Sequence, residues 1–250
     1  MSEFRKIYGL WYREILRYWR EKSRIISALI MPLLWLLVFG TGMRNLELSG
    51  VGSYQSFLFP GIIGMTLLFT SVWSGVSIIW DREFGFWKEI MVAPASRTAI
   101  VIGKALGSAT SALIQGSILL PLSYLVGIHL SPLSLIVLLP SMILISIGLV
   151  CIGLLIATFI SSMEGFNFIG GLVIMPMFFT SGALFPLTSA PEWLKNLSYV
   201  NPLTYGVDAL RWAIFGGTGS LLPMYVEFIM LLLFAIAMII ACSYAFNIRR

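Results

Sequence analysis

Charge is scarce in this chain of 250 residues: 11% are Asp, Glu, Lys or Arg, against 58% hydrophobic. So thin a polar surface excludes a water-soluble globular domain, in agreement with a mean hydropathy of +0.94. Histidine occurs once, at His129, which excludes a His-Glu-x-x-His zinc helix, and no Gly-x-Ser-x-Gly nucleophile elbow is present. Cys151 and Cys242 both fall in apolar runs, with no second Cys or His at ligand spacing, so neither a disulfide nor a metal site is expected. Those runs also lack an acid pair for general acid–base chemistry, and no catalytic residue is expected.

Nucleotide hydrolysis is excluded on similar grounds. Gly103-Lys104 ends like a phosphate loop, but Ala105 stands where Ser or Thr must hold Mg²⁺, and no Gly lies five positions before Gly103. No cofactor is expected in this chain.

What the sequence has in abundance is long apolar stretches. Charge-free runs separate Arg24 from Arg44, Glu47 from Asp81, Glu164 from Glu192 and Glu227 from Arg249, each long enough for one crossing at about 20 residues. The run from Lys104 to Glu164 is longer, and Gly127-Ile128-His129-Leu130-Ser131-Pro132 divides it by a turn between two antiparallel helices. The expected fold is an all-α integral membrane protein with six transmembrane helices, at about 25–43, 57–80, 105–126, 133–160, 166–185 and 224–246.

Six crossings put both termini on one side. Thirteen of the 16 Lys and Arg residues fall there, which makes that side the cytoplasm of a multi-pass protein of the cell membrane. The net charge of +5 is thereby accounted for by topology and contact with anionic membrane lipids, not by nucleic-acid binding.

Residues 1–24 form a separate unit. Phe4, Ile7, Tyr8, Trp11, Ile15, Tyr18 and Trp19 recur at helical spacing, with Arg5, Lys6, Arg13, Arg17 and Arg20 opposite them. The pattern predicts an amphipathic helix lying in the membrane interface, either as an anchor or as a link in force transmission. Residues 25–250 then form one transmembrane domain. Within it, Gly170, Gly171 and Pro176 loosen the fifth span, and the stretch from Pro186 to Pro223 mixes aromatic with charged residues and is divided at Asn201-Pro202. Two short re-entrant helices before the last span are expected, with Asn201, Pro202 and Tyr205 as an outer gate or an interfacial cap.

The second loop carries the most specific signal. Trp80-Asp81-Arg82-Glu83-Phe84-Gly85-Phe86-Trp87-Lys88-Glu89, closed by Pro94 and Arg97, is a charged island between apolar runs, with aromatics among its charges. Aromatics that insert and charges that fix register suit a protein partner.

Asp81-Arg82-Glu83-x-Gly85, followed by Pro94-x-x-Arg97 and Gly103-Lys104, resembles the permease subunits of ATP-binding cassette exporters of the ABC-2 class. The resemblance extends to the amphipathic first helix, Phe59-Pro60-Gly61 and Asn201-Pro202-x-x-Tyr205. The chain departs from it at Phe86-Trp87-Lys88, where family members commonly have Thr after the Gly and Glu two residues on. The resemblance implies an exporter permease for an amphipathic or glycan-type substrate and a second permease copy. It also implies a separate ABC ATPase subunit that binds ATP and Mg²⁺ and docks on Asp81 to Glu89, Pro94 and Arg97. Phe69, Trp73, Met175, Met177, Phe178 and Phe179 are expected at the path or the dimer seam. A non-transport scaffold subunit and an ion-coupled carrier are the alternatives.

Overall fold

The computed structural model describes residues 3–43, 47–48, 52–85 and 96–248. Helix α1 (Glu3–Arg20) turns at Glu21 into α2 (Lys22–Gly42), which contains Pro32. A minimal antiparallel ribbon, β1 (Glu47–Leu48) on β2 (Gly52–Ser53), leads into α3 (Tyr54–Trp73), whose first turn is capped by the Ser53 side chain accepting from Ser56 N. Ser74-Gly75 interrupts the helix, and α4 (Val76–Glu83) continues the same span.

The next three helices begin with the same signal, a serine whose hydroxyl accepts a first-turn N–H. Ser96 caps α5 (Arg97–Leu119), Ser131 caps α6 (Pro132–Phe159) and Ser162 caps α7 (Met163–Thr180). Helix α5 tightens into a 3₁₀ segment, Leu120–Val126, where Pro121 lacks the N–H an α-helical turn would use, and ends at Gly127 in the left-handed region. Past α7 come a single 3₁₀ turn (Leu187–Ser189), α8 (Glu192–Val200), α9 (Pro202–Phe215) and α10 (Met224–Ile248). Among the described residues, six helical stretches are long and apolar enough to span a bilayer: Ile25–Gly42, Tyr54–Glu83, Arg97–Val126, Pro132–Phe159, Met163–Thr180 and Met224–Ile248.

Helix α3 is the axis of the bundle. Leu58, Phe59, Ile62, Ile63, Leu67 and Leu68 are wholly or almost wholly buried, packed with residues of α6 and α9 such as Leu138, Met142, Leu203 and Val207. A second cluster, at the end of the molecule that carries both termini, joins α4 to the start of α5 and the ends of α6 and α10 through Ile78, Ile79, Val101, Leu154 and Phe246. Lipid tails offer no apolar gain for such contacts, so close backbone approach must supply much of the cohesion. Where α6 crosses the break between α3 and α4, a Cβ on Gly75 would stand 2.2 Å from the Gly153 carbonyl oxygen, and one on Gly153 2.1 Å from that of Val72.

Two helices depart from a lipid-facing role. One face of α1 lies on α5, leaving Phe4, Tyr8, Tyr12, Leu16 and Trp19 as an exposed stripe. Helix α9 is buried among α3, α6 and α10 along nearly its whole length, its charges included. The third span also reaches back to Arg97, eight residues before the expected Ala105, which places Lys104 inside it.

Candidate coupling site

The charged island begins on a helix, and its members part company there. Asp81, on the last turns of α4, is 2% exposed and faces inward. Its Oδ2 accepts from Lys104 Nζ at 2.7 Å, and its Oδ1 accepts from Arg13 Nη2 at 2.8 Å, with Arg17 Nη1 at 3.7 Å. Lys104 is fully buried; it also donates to Glu14 Oε1 at 3.0 Å and Ser77 Oγ at 3.2 Å. Three acceptors meet the three donors of its ammonium, a requirement for keeping a charge out of water.

Local sequence explains how α1 comes within reach. Gly103 and Gly107 flank Lys104 on α5, and Cβ atoms there would lie 2.8 Å from Leu10 Cβ and 2.5 Å from Glu14 Cβ. Without side chains at these two positions α1 settles onto α5, and Trp11 Nε1 donates to Thr110 Oγ1 at 3.1 Å. The ion cluster thus joins α1, α4 and α5.

Arg82 is also turned into the bundle. Its guanidinium donates to the carbonyl oxygens of Ala157 at 2.9 Å, Ile160 at 3.3 Å and Thr158 at 3.4 Å, capping the C-terminus of α6, where unpaired carbonyls and the helix dipole favour a cation. Glu83, Phe84 and Gly85 are exposed, Gly85 in the left-handed region at φ 78°. Phe86, Trp87, Lys88, Glu89 and Pro94 lie outside the described residues.

The far side of the loop is fastened as well. Ser96 donates through Oγ to Glu3 Oε2 at 2.9 Å, and Lys6 pairs with Glu3 at 2.8 Å; Lys6 first, then Ser96, holds the Glu3 carboxyl below its usual pKa. Arg97 donates to the carbonyl oxygens of Phe246 and, at 3.0 Å, Asn247 near the end of α10. The described residues on either side of positions 86–95 are thus bonded to α1, α5, α6 and α10.

The other predicted residues are dispersed. Phe69 and Trp73 line an apolar cavity of about 350 Å³, with Met31, Pro32, Met65 and Trp80. Phe178 is buried against Trp35, Met177 is half-buried, and Met175 and Phe179 face outward. Gly170 and Gly171 admit no neighbouring helix: a Cβ on Gly170 meets Phe166 at an ordinary 3.7 Å, and one on Gly171 meets nothing within 4 Å. Asn201 and Tyr205 make fixed contacts: Asn201 Nδ2 donates to Met177 O at 2.6 Å and Thr180 Oγ1 at 2.9 Å, its Oδ1 accepts from Leu203 N, and Tyr205 donates to Tyr199 O at 2.6 Å. Pro202 opens α9 at its first turn.

A second buried polar group escaped the sequence analysis. Arg211 lies 3.5 Å from Asp208, donates to Gly182 O at 3.0 Å and stacks on Phe57 at 4.3 Å, while Asp208 Oδ2 accepts from Leu221 N at 2.6 Å and Leu222 N at 3.3 Å. Glu227, fully buried, faces this pair from α10. The i, i+3 spacing of Asp208 and Arg211 within an otherwise apolar helix was the available signal.

Residues 5–215 match the family described as ABC-2 type transporter. The chain belongs to that family. The matched region runs from within α1 to the end of α9 and takes in the ion cluster and the bonds of Arg82 to α6, whereas Glu3, Phe246 and Asn247, which hold Ser96 and Arg97, lie outside it. Among curated relatives of this ABC-2 member is a transport permease, ycf38, of Cyanophora paradoxa, 33% identical over 77% of the chain and 68% of the relative. The inner membrane transport permease YadH of Escherichia coli is 24% identical over 94% of the chain and 91% of its own length. Nodulation protein J of Rhizobium leguminosarum bv. viciae is 25% identical over 83% of the chain and 82% of its own length. Apolar helices and family together make the chain a multi-pass membrane protein of the transport permease kind.

Proposed function

We propose that the chain is the permease half of an ATP-binding cassette exporter that moves an amphipathic or glycan-type substrate out across the cell membrane. The ATP and Mg²⁺ sites belong to a separate ATPase subunit, and a second permease copy completes the path. Both termini and the loop after α4 face the cytoplasm, with re-entrant α8 and α9 at the outer face and Asn201, Pro202 and Tyr205 as the outer gate.

The observation that carries this is the rooting of the loop. Glu83 and Phe84 stand exposed beside Arg82 and Asp81, whose side chains are bonded into α6, α5 and α1. A force applied at the exposed shoulder has a path through hydrogen bonds into two further spans and α1, whereas a solvated loop that only sets topology needs none of these bonds. Asp81, Arg82 and Arg97 act here as fasteners, and Glu83 to Glu89 with Pro94 as the contacting stretch. The cavity at Phe69 and Trp73 offers an apolar station beside α2, and α2 and α7, largely uncovered, present the face for the second copy.

Co-purification with a co-expressed candidate ABC ATPase subunit tests the assignment. Glu83→Ala combined with Phe84→Ala is expected to lower capture by about tenfold, the scale of one or two interface anchors. Unchanged capture together with unchanged ATP-dependent transport would overturn it.

A further inference from the structure

A groove of about 440 Å³ runs between α1 and the end of α4, lined by Tyr12, Arg13, Arg17, Arg20, Asp81 and Phe84 among others. Cations outnumber acids along it, Arg13, Arg17 and Arg20 against Glu21 and Asp81. Asp81 is shared by Lys104 and two of the arginines, Glu21 lies 3.4 Å from Arg17, and Arg20 is exposed with no ion pair or hydrogen bond among the described residues. Arginine forks at positions 13, 17 and 20 lie on one helical face and suit the oxygens of a phosphate.

The apolar cavity at Phe69 and Trp73 begins where this groove ends. Arg17 lines the groove and Tyr18 the cavity; Asp81 lines the groove and Trp80 the cavity. Groove and cavity adjoin at a pair of stacked side chains, with the Arg17 guanidinium of the groove over the Trp80 ring of the cavity at 4.7 Å. Depth follows the same order: the arginines precede the span that starts at Ile25, whereas Met31 and Pro32 lie within it by roughly 10 Å at 1.5 Å per residue. Polar then apolar, in this direction, is the profile of one membrane leaflet.

We propose that groove and cavity form a single site for an amphiphile with a phosphate head and an apolar chain, the head held by Arg13, Arg17 and Arg20 and the chain passing Trp80 toward Phe69. At about 350 Å³ the cavity falls within the range of roughly 300–1,000 Å³ of small-molecule sites. This deepens the export assignment by naming a ligand class, and its test uses the permease alone, so loss of ATPase docking leaves it standing.

The permease is extracted from vesicles of phosphatidylcholine doped with phosphatidylglycerol, and the retained lipid is measured by native mass spectrometry. Wild type is expected to favour phosphatidylglycerol by about tenfold, the worth of one charge-assisted phosphate contact. Arg20→Gln with Arg17→Gln brings the two lipids toward parity, and Met31→Trp, which fills the cavity from a half-exposed position, lowers retention of both. Arg5→Gln, exposed on α1 but outside the groove, leaves the preference intact. Equal retention by wild type would overturn the site, as would an equal loss in Arg5→Gln and Arg20→Gln. Displacement by soluble glycerol phosphate as effective as by phosphatidylglycerol would remove the cavity from it. With the ATPase added, ATP-driven delivery of the bound lipid to the other leaflet marks it as cargo and retention marks it as a held leaflet lipid; both uphold the site.

Discussion

Replacing Lys104 by Met would leave Asp81 and Glu14 buried with one cation fewer between them, and removal of one partner from a buried ion pair costs about 3–5 kcal/mol. The Met chain nearly matches the lysine in volume, so the loss is electrostatic rather than a packing defect. Lys104→Met is therefore expected to lower the thermal midpoint of the detergent-solubilised protein sharply, and Lys104→Met with Glu14→Gln to recover part of it, because the second change removes one of the orphaned charges. Additive losses in the double variant would mean that the two side chains do not act as a pair. The same reasoning separates the neighbours in the island: Asp81 and Arg82 are costly to change for folding, whereas Glu83 and Phe84 are exposed and their changes are read in partner binding.

Cohesion between elements rests on backbone approach at particular glycines. Gly153→Ala would set a methyl group against the Val72 carbonyl, at a crossing where neither helix has a flexible side chain to move aside, and overpacking of this kind costs about 1–3 kcal/mol or more. Gly171→Ala, in open space on α7, is expected to be neutral or to stabilise by about 0.5–1 kcal/mol through helix propensity. Thermal unfolding of the two variants side by side checks the contrast, and an equal effect would contradict the tight α3–α6 crossing. The sequence does not distinguish these glycines, since what makes Gly153 critical is Val72 on another helix. Gly170 and Gly171, which in the sequence loosen the fifth span, are not approached closely by another described element.

At the scale of the whole molecule, charge-free length was legible because the bilayer imposes it: the sequence divides into six stretches of sufficient length and apolarity, and six candidate spans are found among the described residues. Charge itself was misread in part. A charge in so apolar a chain points to water, yet Asp81, Lys104, Asp208 and Arg211 are buried, because an interior can hold a charge when an opposite one is folded against it. Lys104 and Glu14 are 90 positions apart, and no sequence period connects them. The buried cysteines make the topology directly testable. Cys151 and Cys242 are wholly buried, so a membrane-impermeant maleimide is expected to leave the parent protein unlabelled. Glu83→Cys and Thr218→Cys place exposed thiols at opposite ends of the bundle, one beside the loop and the other between α9 and α10. With the loop and both termini in the cytoplasm, Thr218→Cys reacts in intact cells and Glu83→Cys only after permeabilisation. The reverse pattern would place the loop outside the cell, out of reach of any ATPase in the cytoplasm, and would remove the basis for coupling through Glu83 and Phe84.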